Sequence, residues 1–220
     1  MSKKPTDKLS LDLNEVELFK TRPDLVKIRT AFEPLLLALE GHTTLRTRLA
    51  RWSQFIRTRD GNRCVACGST EHLAAHHITR KSFMWYAQLD PGNGITLCRS
   101  CHKEPHEGFN GRPDLTQPMD AQGGEKIEVM WSLYQLLLRD AVERSVLFEE
   151  FYFLSPRVIC SFKLLQGLDP DLEFPGGSLE QACLIWRQTP RAVFTSLLKA
   201  NGFELPKNFI QKGPVSLFSE

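Results

Sequence analysis

Apolar positions along the chain fall into two rhythms, helical toward both ends and extended in the middle. From Pro23 to about Glu40, the residues Leu25, Ile28, Phe32, Leu35 and Leu36 recur at three- and four-residue spacing. That spacing predicts one apolar face on a helix, which Gly41 stops. Pro34 lies inside the stretch and is expected to kink or split it, because proline removes a backbone donor and clashes with the preceding turn. A second helix is expected from Thr43 or Thr44, with Leu45, Leu49, Trp52 and Ile56 as its stripe and Asp60-Gly61-Asn62 as its stop. Arg46, Arg48, Arg51, Arg57 and Arg59 fall mostly off that stripe.

The centre reads differently. Leu73-Ala74-Ala75 running into His76-His77-Ile78 has the look of a strand, and Asn93-Gly94 marks a turn before the strand-like Ile95-Thr96-Leu97. Beyond a Pro- and Gly-rich stretch the helical rhythm returns over about 126–146 and 147–154, then from Ser155-Pro156 to about Gly167. Ser178 and Gln181 form a capping box for a helix to about Gln188. Thr189-Pro190 opens a last helix that Asn201-Gly202 closes.

Composition adds little until it is resolved along the chain. The 220 residues are 41% hydrophobic and 25% charged, which excludes general disorder and fibrous repeats. No apolar run approaches the ~18 residues of a membrane helix, and no apolar stretch follows the N-terminal Met-Ser-Lys-Lys-Pro, so a soluble intracellular protein without membrane partners is expected. Charge is uneven: residues 1–60 carry 12 basic and 8 acidic groups, whereas residues 113–220 carry 10 and 14. A basic front half suits a polyanion such as nucleic acid.

The candidate chemistry sits where the strands are expected. Cys64-Val-Ala-Cys67 and Cys98-Arg-Ser-Cys101 are two C-x2-C knuckles. Each delivers two sulfurs from one tight loop, and together they supply the four soft ligands of a structural tetrahedral Zn2+. A disulfide reading requires an oxidising compartment, and a redox dithiol requires only one such pair. Some 50 residues with two short strands and a helix cannot bury enough core unaided, so zinc would also support the fold. Cys160 and Cys183 lie in apolar helical stretches and read as small buried hydrophobes.

Zinc leaves four histidines unexplained. His76 and His77 are neighbours in a strand and therefore point to opposite faces, free to do different jobs. His102 and His106 are four apart, the spacing that stacks two imidazoles on one side of a helix, although Pro105 between them is expected to kink it.

These residues carry a resemblance. Ala75-His76-His77-Ile78, the run from Asn93 through Cys98 to His102, and His106 are similar to the HNH nuclease family, in particular its zinc-knuckle members with the ββα-metal fold found in phages and bacteria. The lead-in Phe55-Ile56-Arg57-Thr58-Arg59-Asp60-Gly61-Asn62-Arg63-Cys64 fits the same pattern, and the likeness covers about residues 50–108. It implies an α+β chain, with a small ββα-metal core stapled by a four-cysteine zinc site and flanked by mainly α-helical extensions. It also implies a metal-dependent endonuclease that hydrolyses DNA phosphodiesters, leaving 5′-phosphate and 3′-hydroxyl ends, in the cytoplasm of a prokaryotic or phage-infected cell. By the resemblance, His77 is the general base, His76, His102 and His106 hold a divalent metal such as Mg2+, Mn2+, Ni2+ or Zn2+, and Asn93 orients the loop and the base. The expected organisation is a flexible tail over 1–22, a basic helical region over 23–59, a nuclease core over 60–112, a linker over 113–124 and a helical region over 125–220.

A nuclease needs sequence-independent phosphate contacts. Arg57, Arg59, Arg63, Arg80, Lys81, Arg99 and Lys103 are the candidates close to the core, and double-stranded DNA is the expected partner. Phe83-Met84-Trp85-Tyr86 offers aromatic faces to bases but reads more simply as packing the loop onto the core. The last two helices have the size of a helix-turn-helix with Arg191, Thr195 and Lys199 on one face, yet their acidic surroundings favour a cap, a homodimer surface or a protein dock. Two rivals remain: a non-catalytic zinc module, and a nuclease for RNA or branched DNA.

Overall fold

The computed structural model describes residues 21–41, 43–103, 105, 127–188, 196, 200 and 202. The expected tail (apart from its last two residues), His106, the linker over 113–124 and the helix-turn-helix residues Arg191, Thr195 and Lys199 lie outside the described residues.

Helix α1 (Pro23–Glu40) starts with proline at a position where no backbone donor is needed, and it runs unbroken through Pro34. Leu25, Ile28, Phe32, Leu35 and Ala38 bury its inner face on both sides of that proline, so packing overrides the local break. Leu36, expected on that face, is exposed. Helix α2 (Leu45–Arg59) is capped by Thr44, whose Oγ1 accepts the Thr47 N–H at 3.2 Å. Its buried face is Trp52, Phe55, Ile56 and Arg59, rotated from the expected stripe so that Leu45 is exposed. Phe32 of α1 meets Phe55 of α2 with ring centroids 4.8 Å apart.

Strands β1 (Ala74–His77) and β2 (Gly94–Leu97) form an antiparallel pair in which His76 faces Ile95 and His77 faces Gly94. Helix α3 (Arg99–Lys103) follows β2 almost directly, completing a ββα unit within an α+β chain with helical flanks. A Cβ on Gly94 would lie 2.6 Å from Trp52 Cζ2 and 2.7 Å from the Ile56 side chain, so glycine is what lets α2 rest on the hairpin.

Further α-helices among the described residues are α4 (Ile127–Glu143), α5 (Glu149–Tyr152), α6 (Pro156–Leu165) and α7 (Ser178–Trp186). The expected helix over 147–154 contracts to the four residues of α5. The start of α7 is also corrected by one residue: Gly177 is the cap, and Glu180 reaches back to accept its N–H at 2.7 Å. Ser178 instead accepts the Leu154 N–H at 2.7 Å, and Gln181 donates to the Gly176 carbonyl. One hydrophobic cluster includes α1, α2, the hairpin and α4 to α7. No helix among the described residues is long and apolar enough to cross a membrane.

Arg59 welds these parts together. It is 0% exposed; Nε donates to Asp60 at 2.8 Å, Nη1 to the Pro91 and Phe151 carbonyls, and Nη2 to the Gly94 carbonyl at 2.6 Å. Its guanidinium also lies 4.4 Å over the Tyr152 ring. The expectation of an Arg59 phosphate contact is therefore corrected: its donors are spent inside the core, joining α2, β2 and α5.

Candidate metal centre and active site

Two turns build the sulfur cluster. The Gly68 N–H closes the first knuckle on the Cys64 carbonyl, and Cys98 sits between β2 and α3 with Cys101 one turn further on. The four Sγ atoms of Cys64, Cys67, Cys98 and Cys101 all lie within 4.8 Å of one another, and those of Cys67 and Cys98 are 3.6 Å apart. Zn–S bonds of ~2.3 Å at tetrahedral angles place sulfurs about 3.8 Å apart, so this donor set could hold a structural zinc. The cluster is already electrostatically divided. Donation from the Ser100 hydroxyl and the Cys101 N–H draws the Cys98 thiol down to about 6, whereas burial and neighbouring sulfurs push Cys101 up to about 12.

Strand alternation then separates the two histidines. His77 is held by two contacts. Its ring stacks on Trp52 with centroids 4.1 Å apart and planes 8° apart, and Trp52 is fixed by donating Nε1–H to the Asp90 carbonyl at 3.1 Å. Its Nε2 lies 2.9 Å from the Gln88 carbonyl. A carbonyl only accepts, so Nε2 carries the proton and Nδ1 keeps its lone pair. Burial pulls the pKa of His77 below the ordinary imidazole range, and Lys81 adds to that direction. The Gln88 hydrogen bond opposes that shift, burial outweighs it and favours the neutral form, and the ring is oriented.

Asn93 organises the loop that supplies Gln88. Its Nδ2 donates to the Thr79 and Ala87 carbonyls at 3.0 Å each, while Oδ1 accepts the Thr79 N–H at 2.8 Å and the Tyr134 hydroxyl at 3.0 Å. Being fully buried, it ties the two ends of the connection between β1 and β2 together next to the carbonyl that His77 uses.

His76 turns the other way, nearly buried, and meets His102 of α3 edge to face with centroids 4.9 Å apart. Burial lowers the His102 pKa, favouring the neutral form that a metal needs. His76, His77, Arg80, Lys81, Ser82 and His102 line one open cavity of ≈460 Å³. Two adjacent imidazoles facing a cavity suit a borderline divalent ion, and two donors come from the described residues. A larger cavity of ≈610 Å³ between α4 and α7 has no histidine among its described lining residues, which include Cys183, a thiol pushed up to about 12 by burial.

The basic candidates separate. Arg80 and Lys81 reach the cavity, and Arg99 and Lys103 lie exposed on α3. Arg57 donates to Ser53, while Arg63 is engaged with Asp140, which also accepts from Arg144. The residues that sequence reasoning missed are Trp52, Gln88 and Tyr134. Trp52 and Tyr134 act through contacts between segments far apart in the chain, and Gln88 acts through its backbone carbonyl, so no local spacing marks any of them.

A family model described as HNH endonuclease matches residues 64–108. The chain carries an HNH endonuclease domain. No curated protein and no solved structure matches the chain. The HNH domain begins at the first knuckle cysteine and takes in β1, β2, α3 and all the candidate histidines. Membership of this nuclease family implies a nucleic-acid substrate. Trp52 and Tyr134, which brace its two key side chains, lie outside the matched segment.

Proposed function

We propose that the HNH domain is a metal-dependent endonuclease that hydrolyses phosphodiester bonds in DNA, with His77 as general base. The observation that carries this reading is the state of His77: stacked on Trp52, donating Nε2–H to Gln88, and lining the cavity shared with His76 and His102. A neutral imidazole with one nitrogen committed and the other unprotonated is what proton removal from water requires. Nδ1 of His77 takes the proton from water, the water oxygen attacks phosphorus, the bond from phosphorus to the 3′ oxygen breaks, and the departing 3′ oxygen takes a proton from a solvent water. The products carry a 5′-phosphate and a 3′-hydroxyl.

His76 and His102 would hold a divalent ion, with His106, outside the described residues, as the expected third ligand; such an ion would stabilise charge on the scissile phosphate and on the departing oxygen. Asn93 keeps the Ala87–Gln88 segment where it orients the base. Arg80 and Lys81 contact flanking phosphates, with Arg57, Arg99 and Lys103 extending the basic surface. A zinc on the four cysteines would hold the two knuckles together and so the start of α3, which carries His102.

The test is nicking of supercoiled plasmid by the purified chain with Mg2+, Mn2+ or Ni2+ added. The expected result is metal-dependent nicking that leaves the stated ends. An intact plasmid with every metal, from a folded and zinc-loaded protein, overturns the reading.

A further inference from the structure

The loop between β1 and β2 carries Phe83-Met84-Trp85-Tyr86, and the four residues part company in the fold. Met84 is buried, Phe83 packs against the core, and the Tyr86 hydroxyl lies 2.6 Å from Ser161 Oγ on α6. Trp85 turns outward and is 62% exposed. Single exposed apolar side chains are ordinary, so exposure alone assigns nothing; what sets Trp85 apart is the group beside it.

What surrounds Trp85 defines the chemistry of a partner. The Arg157 guanidinium, at the start of α6, lies 4.2 Å over the Tyr86 ring and 5.4 Å from the Trp85 ring, while the two rings meet nearly perpendicular with centroids 5.8 Å apart. Arg157 is itself exposed and has no carboxylate partner among the described residues. An exposed indole with an uncompensated cation on the neighbouring ring offers stacking to a base and charge to its phosphate at one point.

The place is connected to the active site through the backbone. The Trp85 carbonyl accepts the Gln88 N–H at 3.4 Å, and the Gln88 carbonyl holds His77 Nε2 at 2.9 Å. At the other end of the loop, Arg80 accepts the N–H groups of Phe83 and Met84 through its carbonyl and lines the cavity beside Lys81. Phosphate-binding charge and an exposed ring thus stand on one short loop.

We infer that Trp85, backed by Arg157, is a stacking platform for an unpaired base of the nucleic-acid strand entering the HNH cavity. The base must be unpaired and unstacked, because within a regular duplex both of its faces are covered by neighbours. Single strands, frayed ends and extruded bases are therefore the substrates this surface favours. The inference rests on the nuclease reading for the identity of the strand, and it gives the helical region after the HNH domain a part in substrate binding.

The test is equilibrium binding by fluorescence anisotropy, with the full chain, no divalent metal added and constant salt. The ligands are a labelled single-stranded oligonucleotide and the same sequence as a blunt duplex. Trp85→Ala is expected to weaken single-strand binding by about 5- to 100-fold, the range for loss of one base–aromatic stack. Trp85→Phe is expected to recover most of that loss, and Arg157→Ala to weaken binding by a smaller factor. Duplex binding should change less than about twofold, since its electrostatic contacts remain.

Because the ring is exposed, the variants should melt at the wild-type temperature. Single-strand affinity unchanged in Trp85→Ala overturns the inference, as does equal weakening for both ligands. So does a wild-type chain that binds neither ligand, in which case Trp85 marks a protein contact. Trp85-dependent binding by a chain that cuts nothing would leave the platform standing and remove the nuclease reading. Cutting without any effect of Trp85 on binding would do the reverse.

Discussion

His77 lies flat against Trp52, planes 8° apart and centroids 4.1 Å apart, and the indole that supports it is anchored to the Asp90 carbonyl rather than to its own helix. The His77 ring is thus positioned by a residue 25 positions earlier in the chain, outside the segment that matches the HNH model.

Trp52→Leu should lower kcat by about tenfold or more while leaving KM within about threefold, because it frees the imidazole plane without touching the phosphate-binding charges. Trp52→Phe, which keeps a ring but loses the Nε1–H donor, should fall between. Equal loss in both variants, tracking their melting temperatures, would mean that Trp52 only fills the core.

Arg59 and Asp60 are both fully buried, and Asp60 also accepts the Thr96 N–H at 2.7 Å. Removing one member leaves the other charge unpaired in the core. Arg59→Ala is expected to cost about 3–5 kcal/mol of stability, measured by urea unfolding. Below its melting temperature the variant should keep wild-type DNA affinity. Weakened binding in a stably folded Arg59→Ala protein would restore a direct phosphate role.

Asp90 supplies a pH test of the packing between the active-site loop and α6. Its Oδ2 accepts the Ser155 N–H at 2.7 Å, yet burial outweighs that bond and raises its pKa above the ordinary carboxylate value. The folded state therefore holds the proton more tightly than the unfolded chain. Stability from this group is lost as pH rises from the unfolded value of about 3.9 through the raised folded one. Asp90→Asn keeps an oxygen acceptor for Ser155, so at pH 7 it should be as stable as wild type or more so. The advantage should vanish in acid; a variant less stable at pH 7 would contradict the assignment.

Zinc content separates the two metal sites. His76→Ala protein should retain one equivalent of tightly held zinc, measured by release with a thiol-reactive reagent and a colorimetric indicator. Cys98→Ser should lose that zinc and melt at a lower temperature, since the knuckles position β2 and α3. A wild-type chain with no zinc after expression in zinc-replete medium would remove the structural assignment.

Much of this was legible in the sequence because the chemistry is local. The C-x2-C pairs announce a four-sulfur metal site through spacing alone, the adjacent His76 and His77 and the Asn93-Gly94 turn mark the two strands, and the family resemblance supplies the ββα unit. What was not legible depends on contacts across the chain. Arg59 looks like one more basic residue on a basic helix until α5 closes over it. Pro34 reads as a break because the burial of Leu25 through Ala38 is a property of the assembled core. Trp85 reads as packing because its three neighbours do pack, and only the turn of the loop sets it apart.

If His77 takes the proton in phosphodiester hydrolysis, single-turnover cleavage of plasmid by His77→Ala should run about 10²- to 10⁴-fold below the wild-type rate, with zinc content, melting temperature and DNA affinity retained. Cleavage by the variant at the wild-type rate would show that another group is the base.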